Sequence, residues 1–140
     1  MKTILKKISA VLFFTALSLS GYSQGKITLK IEINDLKSDK GKVMISITNS
    51  NKKTISEKTA IISDGLCIVV FDSLSAEIYA VSYLHDENLN KTMDYGSMGI
   101  PAEGYGYSNN ARGFMGPPDI EDQLFEFKKD TTLDLRTKYW

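Results

Sequence analysis

The sequence predicts an all-β protein, a single antiparallel β-sandwich of about seven strands with one long Gly/Tyr-rich loop. Three observations carry that expectation. Apolar residues recur with period two rather than 3.6. The alternating runs are short and return about every ten residues. Asp, Asn, Ser and Gly cluster between them, where turns need those residues.

KITLKIEIN opens the series: Ile27, Leu29, Ile31 and Ile33 alternate with Lys26, Thr28, Lys30 and Glu32. Such a strand has one apolar face and one wet face. KVMISITN repeats the pattern with Val43, Ile45 and Ile47, and DLKSDKG between the two reads as a turn. TAIIS (59–63) and LCIVVF (66–71) follow, joined across SDG as a short hairpin. EIYAVSYLH (77–85) places Ile78, Ala80, Ser82 and Leu84 on one face and Tyr79, Val81 and Tyr83 on the other. QLFEFKK and TTLDLRTKYW complete the set, and DIEDQLF has room for one helical turn with Asp119 as N-cap.

The first 23 residues stand apart from this domain of residues 24–140. Lys2, Lys6 and Lys7 precede an apolar run from Ile8 to Leu19, and the small residues Ser18, Ser20, Gly21 and Ser23 follow. That order is the signature of a secretory signal peptide, cleaved after Ser23 or, alternatively, after Ser20. The run is shorter than the roughly 20 residues of a membrane span. No cysteine stands near the cleavage site to take a lipid. The mature protein is therefore expected to be periplasmic or secreted, with no membrane span. Cys67, the only cysteine, has no internal disulfide partner and is expected to be a buried, inert thiol.

The whole chain carries 17 basic and 17 acidic residues. Loss of Lys2, Lys6 and Lys7 leaves 14 against 17, a net charge of −3. With no basic patch, nucleic acid and anionic membrane surfaces are poor partners.

From Asp86 to Pro118 the alternation lapses. Six of the ten glycines and all three prolines lie there. A structureless connection beyond about 15 residues usually has a function. Its first part, HDENLNKTMD, can be read as a calcium loop with Asp86, Asn88, Asn90 and Asp94 at positions 1, 3, 5 and 9 and the Thr92 carbonyl at position 7. Lys91 takes the place of the turn glycine, at a cost of roughly 1 kcal/mol. Ser97 stands where a bidentate Glu belongs, so a complete EF-hand loop is excluded. Two readings remain: a calcium-stabilised tip closed by Glu87 or Glu103, and a bare tip of Asx-turns.

Its second part, EGYGYSNNARGF, sets Tyr105, Tyr107, Asn109, Asn110 and Arg112 on glycine-rich backbone. These residues suit a stacking, hydrogen-bonding surface for sugars or peptides, and equally a loop packed on its own tyrosines. In that packed reading Asn109 and Asn110 cap turns, and Arg112 pairs with Asp119 or Glu121. His85, the only histidine, rules out a three-histidine zinc site and is expected to end its strand half-buried. No nucleophile-elbow motif is present. Asp86, Glu87 and Glu103 are the carboxylates available for glycoside hydrolysis.

The stretches HDEN–N–MD, GIPAEGYGYSNNARG and GPPDIED–LF together resemble a family of small secreted bacterial proteins, domain of unknown function twenty-one forty-one. The resemblance spans the mature chain and is most specific over 85–125. It implies an immunoglobulin-like or transthyretin-like sandwich and no established activity. Lys91 departs from the family pattern, which has glycine there. The resulting expectation is a non-enzymatic binding or envelope-associated module whose partner is an envelope or extracellular protein or a glycan. The alternative is a small hydrolase acting on glycans or peptides through loop carboxylates.

Overall fold

A computed structural model of the protein describes residues 25–140; the expected signal segment lies outside the described residues. Eight strands are present: β1 (Ile27–Asn34), β2 (Lys42–Asn49), β3 (Thr54–Ala60), β4 (Cys67–Leu74), β5 (Glu77–Asp86), β6 (Gly104–Tyr107), β7 (Phe125–Phe127) and β8 (Thr131–Arg136). They form two sheets, ordered β4-β1-β8 and β3-β2-β5-β6, with β7 also pairing with β5. One helical turn, α1 (Ile120–Gln123), follows Asp119 at the N-cap position, although the Asp119 side chain makes no capping bond.

The alternating stripes fill the space between the sheets. Leu29, Ile31 and Ile33 of β1 and Val43 and Ile47 of β2 are fully buried against Phe71, Tyr79, Val81, Phe127 and Leu135. Each such side chain contributes about 1.5–3 kcal/mol relative to an exposed position. Cys67 joins this core, and burial pushes its thiol up to about 11, which keeps it protonated and inert.

Three expectations need correction. The third strand is Thr54–Ala60 rather than 59–63. It is an edge strand whose exposed positions are mostly polar, so it shows no apolar stripe. SDG does reverse the chain, with Ser63 and Leu66 exchanging backbone bonds of 2.9 and 3.1 Å, but β3 and β4 do not form a hairpin. β3 pairs with β2 and β4 with β1, so the turn carries the chain from one sheet to the other. The Asp39 carboxylate braces that turn by accepting the Asp64 and Gly65 N–H groups, which holds its pKa below the usual range. Finally, the sandwich is not wholly antiparallel: β8 lies parallel to β1, from Leu29↔Thr131 to Asn34↔Arg136.

The two sides of the sandwich close differently. On one side the chain itself switches sheets. Thr137 N–H still donates to Asn34 O of β1 (3.0 Å), whereas Lys138 exchanges bonds with Tyr105 of β6 at 2.8 and 3.0 Å. On the other side β3 and β4 are both open edges among the described residues, linked by Lys58. Its position opposite Ile45 turns it inward, its ammonium donates to Val70 O (2.5 Å), and it sits 5.0 Å from the Phe71 ring centroid. An inward-pointing lysine on a sheet edge obstructs pairing with another chain.

Lys58→Ala should therefore raise self-association while leaving the fold intact. Sedimentation velocity at matched concentration checks this; an unchanged monomer fraction would remove the blocking role. Replacing Gly106 by Ala tests the inner face of β6, because a Cβ there would lie 2.3 Å from the Tyr83 hydroxyl. The expected loss is about 1–3 kcal/mol in denaturant melts, against a small effect at Gly96, whose nearest neighbour to an added Cβ is 3.7 Å away.

Candidate functional site

The loop after β5 is built on carboxylates that accept backbone N–H groups. Asp86, 2% exposed, accepts Asn90 N–H on Oδ1 (3.1 Å) and Lys91 N–H on Oδ2 (2.9 Å). Asn88 Oδ1 also accepts from Asn90 N–H (3.1 Å), and Asn90 Oδ1 accepts from Thr92 N–H (3.0 Å). The Asn88 and Asn90 amides both donate to Asp94, at 2.5 and 2.8 Å. The structure thus brings together all four residues expected as calcium ligands, in a tip of Asx-turns with their oxygens directed at protein donors. Leu89 and Lys91 take left-handed φ values of 62° and 66°.

Glu103, 4% exposed, clamps the two ends of this tip. Its Oε1 accepts Glu87 N–H (2.9 Å) and its Oε2 accepts Asp94 N–H (3.3 Å). Glu87 points elsewhere and pairs with Lys37 at 2.8 Å. The three carboxylates considered for hydrolysis are thus committed to backbone donors or to a lysine.

His85 is fully buried rather than half-buried, because β5 runs one residue further and its ring lies under the C-terminal segment. Its Nε2 is 2.7 Å from Lys40 O, which can only accept, so Nε2 carries the hydrogen. Nδ1 is left to accept from the Tyr139 hydroxyl at 2.7 Å, and that hydroxyl accepts from Lys37 N–H at 3.2 Å. The Lys37 ammonium lies 4.7 Å from the centre of the Tyr139 ring. A single chain of bonds therefore ties the β1–β2 link, the end of β5 and the C-terminal segment.

Part of the expected irregular loop is a strand. β6 pairs with β5 through Ser82↔Tyr107 to His85↔Gly104. Gly104 and Gly106 face inward. A Cβ on Gly104 would meet the Tyr139 ring at 2.4 Å, and one on Gly106 would meet Tyr83. The inner face of β6 is thus filled by rings from elsewhere in the chain. Burial raises the Tyr83 phenol to about 12, and its hydroxyl lies 3.3 Å from Thr137 Oγ1. Tyr105 and Tyr107 consequently face outward, their ring centroids 6.0 Å apart in an edge-to-face arrangement. Trp140 Nε1–H donates to the Tyr105 hydroxyl at 2.8 Å.

That outward face carries a trough of about 470 Å³. Two cross-strand rows make it. One runs Thr59, Met44, Leu84, Tyr105; the other runs Glu57, Ser46, Ser82, Tyr107. Met93 and Tyr95, from the loop, line it beside the two tyrosines. Burial pushes the Tyr107 phenol above its usual range, and the Tyr105 and Tyr95 phenols add to the shift.

The other residues expected at a binding surface lie apart from this trough. Asn109 donates from Nδ2 to Asp122 O and Leu124 O, and Asn110 bridges Asp134 O and Arg136 N–H of β8. Arg112 does not pair with Asp119 or Glu121; its Nη2 donates to Arg136 O at 3.2 Å. Ser108, fully buried, accepts Val81 N–H (2.9 Å) and donates to Gln123 O (2.5 Å). These side chains fasten the segment after β6 to its neighbours. Sequence reasoning missed Met44, Ser46, Glu57, Ser82, Leu84, Met93 and Tyr95 as one group. A faint signal for the trough existed in Met44 and Leu84, apolar residues in the outward phase of their strands.

Lys91→Gly is expected to stabilise the protein by about 1 kcal/mol, since glycine adopts the left-handed φ without a Cβ clash. Calorimetry should show a Tm rise of about 3–5 °C. A fall in Tm would show that Lys91 stabilises the tip by some other contact.

Comparison with curated proteins and with solved structures gives no match. The family model described as an uncharacterized protein conserved in bacteria (DUF2141) matches residues 31–134, a span that contains both the loop and the trough. The chain belongs to that bacterial family.

Proposed function

We propose that the protein is a secreted, non-enzymatic binding module and that the tyrosine-walled trough is its binding site. Secretion rests on the charge, apolar run and small residues of the first 23 positions. The observation that carries the binding reading is the outward pair Tyr105 and Tyr107 beside a concave, hydroxyl-bearing floor. Aromatic walls with a few placed polar groups are what ligand sites are made of. The Trp140–Tyr105 bond and the edge-to-face tyrosine pair fix the wall before a ligand arrives, which lowers the ordering cost of binding.

The carboxylates argue for binding over hydrolysis. Among the described residues Glu57 is the one acidic side chain lining the trough, whereas glycoside hydrolysis ordinarily needs two flanking the scissile bond. Asp86 and Glu103 are engaged in holding the tip closed.

The test is retention of envelope material on immobilised protein. Wild type should retain a component that Tyr105→Ala plus Tyr107→Ala loses, with both proteins folded by circular dichroism. Identical retention by the two would overturn the trough as the site.

A further inference from the structure

The ligand class can be narrowed from what lines the trough and from what it lacks. β2 and β5 form its floor, and each is paired on both edges, β2 with β3 and β5 and β5 with β2 and β6. Their backbone groups in this region are spent in the ladder. A ligand lying on the floor meets side chains alone. An extended peptide would bring its own row of N–H and C=O groups and find no backbone to pair with, at a cost for each one left unsatisfied. Among the described residues the free edge of the sheet is at β3, whose Glu57–Thr59 form one rim of the trough, and the inward-turned Lys58 on that edge obstructs pairing with an added strand.

The side chains present are of two kinds, arranged in parallel. The row Glu57, Ser46, Ser82, Tyr107 is a line of oxygen donors and acceptors across four strands. With strands about 4.8 Å apart, that line extends roughly 14 Å. The adjacent row puts Met44 and Leu84 between Thr59 and Tyr105. A purely apolar ligand would bury the hydroxyl row unpaired. A highly hydrated ion would gain nothing from Met44, Leu84 and the rings. A sugar ring has both surfaces at once, a C–H face and a rim of hydroxyl groups.

Charge narrows the class further. Lys58 is also among the lining residues, but its ammonium is taken up by the Val70 carbonyl of the facing sheet. Among the described residues Glu57 is thus the charged group left facing the trough, from its β3 rim, and it favours hydroxyl or ammonium donors over carboxylate, sulfate or phosphate.

We infer that the trough binds a short neutral or amino-sugar oligosaccharide, its rings against Tyr105 and Tyr107 and its hydroxyl groups along the Glu57–Ser46–Ser82 line, and that it releases the chain uncut. This inference rests on the trough being the binding site and adds the chemical class of its ligand.

Trp140 supplies a reporter. It is the only tryptophan in the chain and donates to Tyr105, so occupancy of the wall should perturb its emission. The full mature chain would be applied to an array of neutral, amino and acidic glycans. It would then be titrated with chitotetraose, cellotetraose and a hyaluronan fragment of equal length while Trp140 emission is followed. Neutral or amino glycans are expected to bind and to be recovered intact. Affinity should fall about tenfold or more in Tyr107→Ala and in the floor-filling Ser82→Leu. Glu57→Gln should weaken it less, and Gly25→Ala, on an open site, should leave it unchanged. Binding confined to acidic glycans, binding that survives both Tyr107→Ala and Ser82→Leu, or no glycan binding at all would overturn the saccharide assignment. If envelope material is still retained in a Tyr105- and Tyr107-dependent manner, only the saccharide assignment fails. If that retention is absent as well, the trough fails as the site.

Discussion

Two backbone positions without side chains set the geometry of the outer face of β6. Gly104 and Gly106 let the rings of Tyr139 and Tyr83 come closer than any Cβ would allow. With the inner side of β6 filled in this way, the strand lies flush along β5 and its alternate residues, Tyr105 and Tyr107, must point to the outside. A side chain at either glycine would push β6 off the sheet or displace a buried ring. The outward tyrosine wall is thus a consequence of tight packing on the opposite face.

The same packing recruits the C-terminal segment. Tyr139 fills the space beside Gly104 and donates to His85, and the neighbouring Lys138 pairs with Tyr105. Trp140 then reaches the Tyr105 hydroxyl. One four-residue stretch therefore seals the core, joins the two sheets and steadies the wall of the trough. The Asp86–Glu103 loop serves the same face, since the tip clamped by Glu103 leads into Tyr95, which lines the trough together with Tyr107.

The elements legible in the sequence are those whose environment repeats every second residue. β1, β2 and β5 have one buried stripe each, and the stripes announce them. β3 was displaced because an edge strand with polar outward residues has little to repeat. β6 was silent for a different reason: its two inward positions are glycine, and the apolar surface that fills them belongs to Tyr83 and Tyr139. Asn110 and Arg112 read as ligand-binding residues, yet their partners are backbone atoms of β8, which sequence does not label. The trough is hidden by the same limit. Its rows join β2, β3, β5 and β6, and those rows exist only once the strand register is known.

The parallel pairing of β1 with β8 has a consequence for the order in which the molecule can assemble. Thr28 N–H donates to Asp130, 102 residues further along, and β1 is the central strand of its sheet. Until the last strand arrives, β1 keeps one unsatisfied flank, and contacts so distant in the chain are slow to form. A chain made from its N-terminus exposes that flank until residues 131–136 have been added. Its first strand is shielded from wrong partners on both flanks only when its last strand has docked.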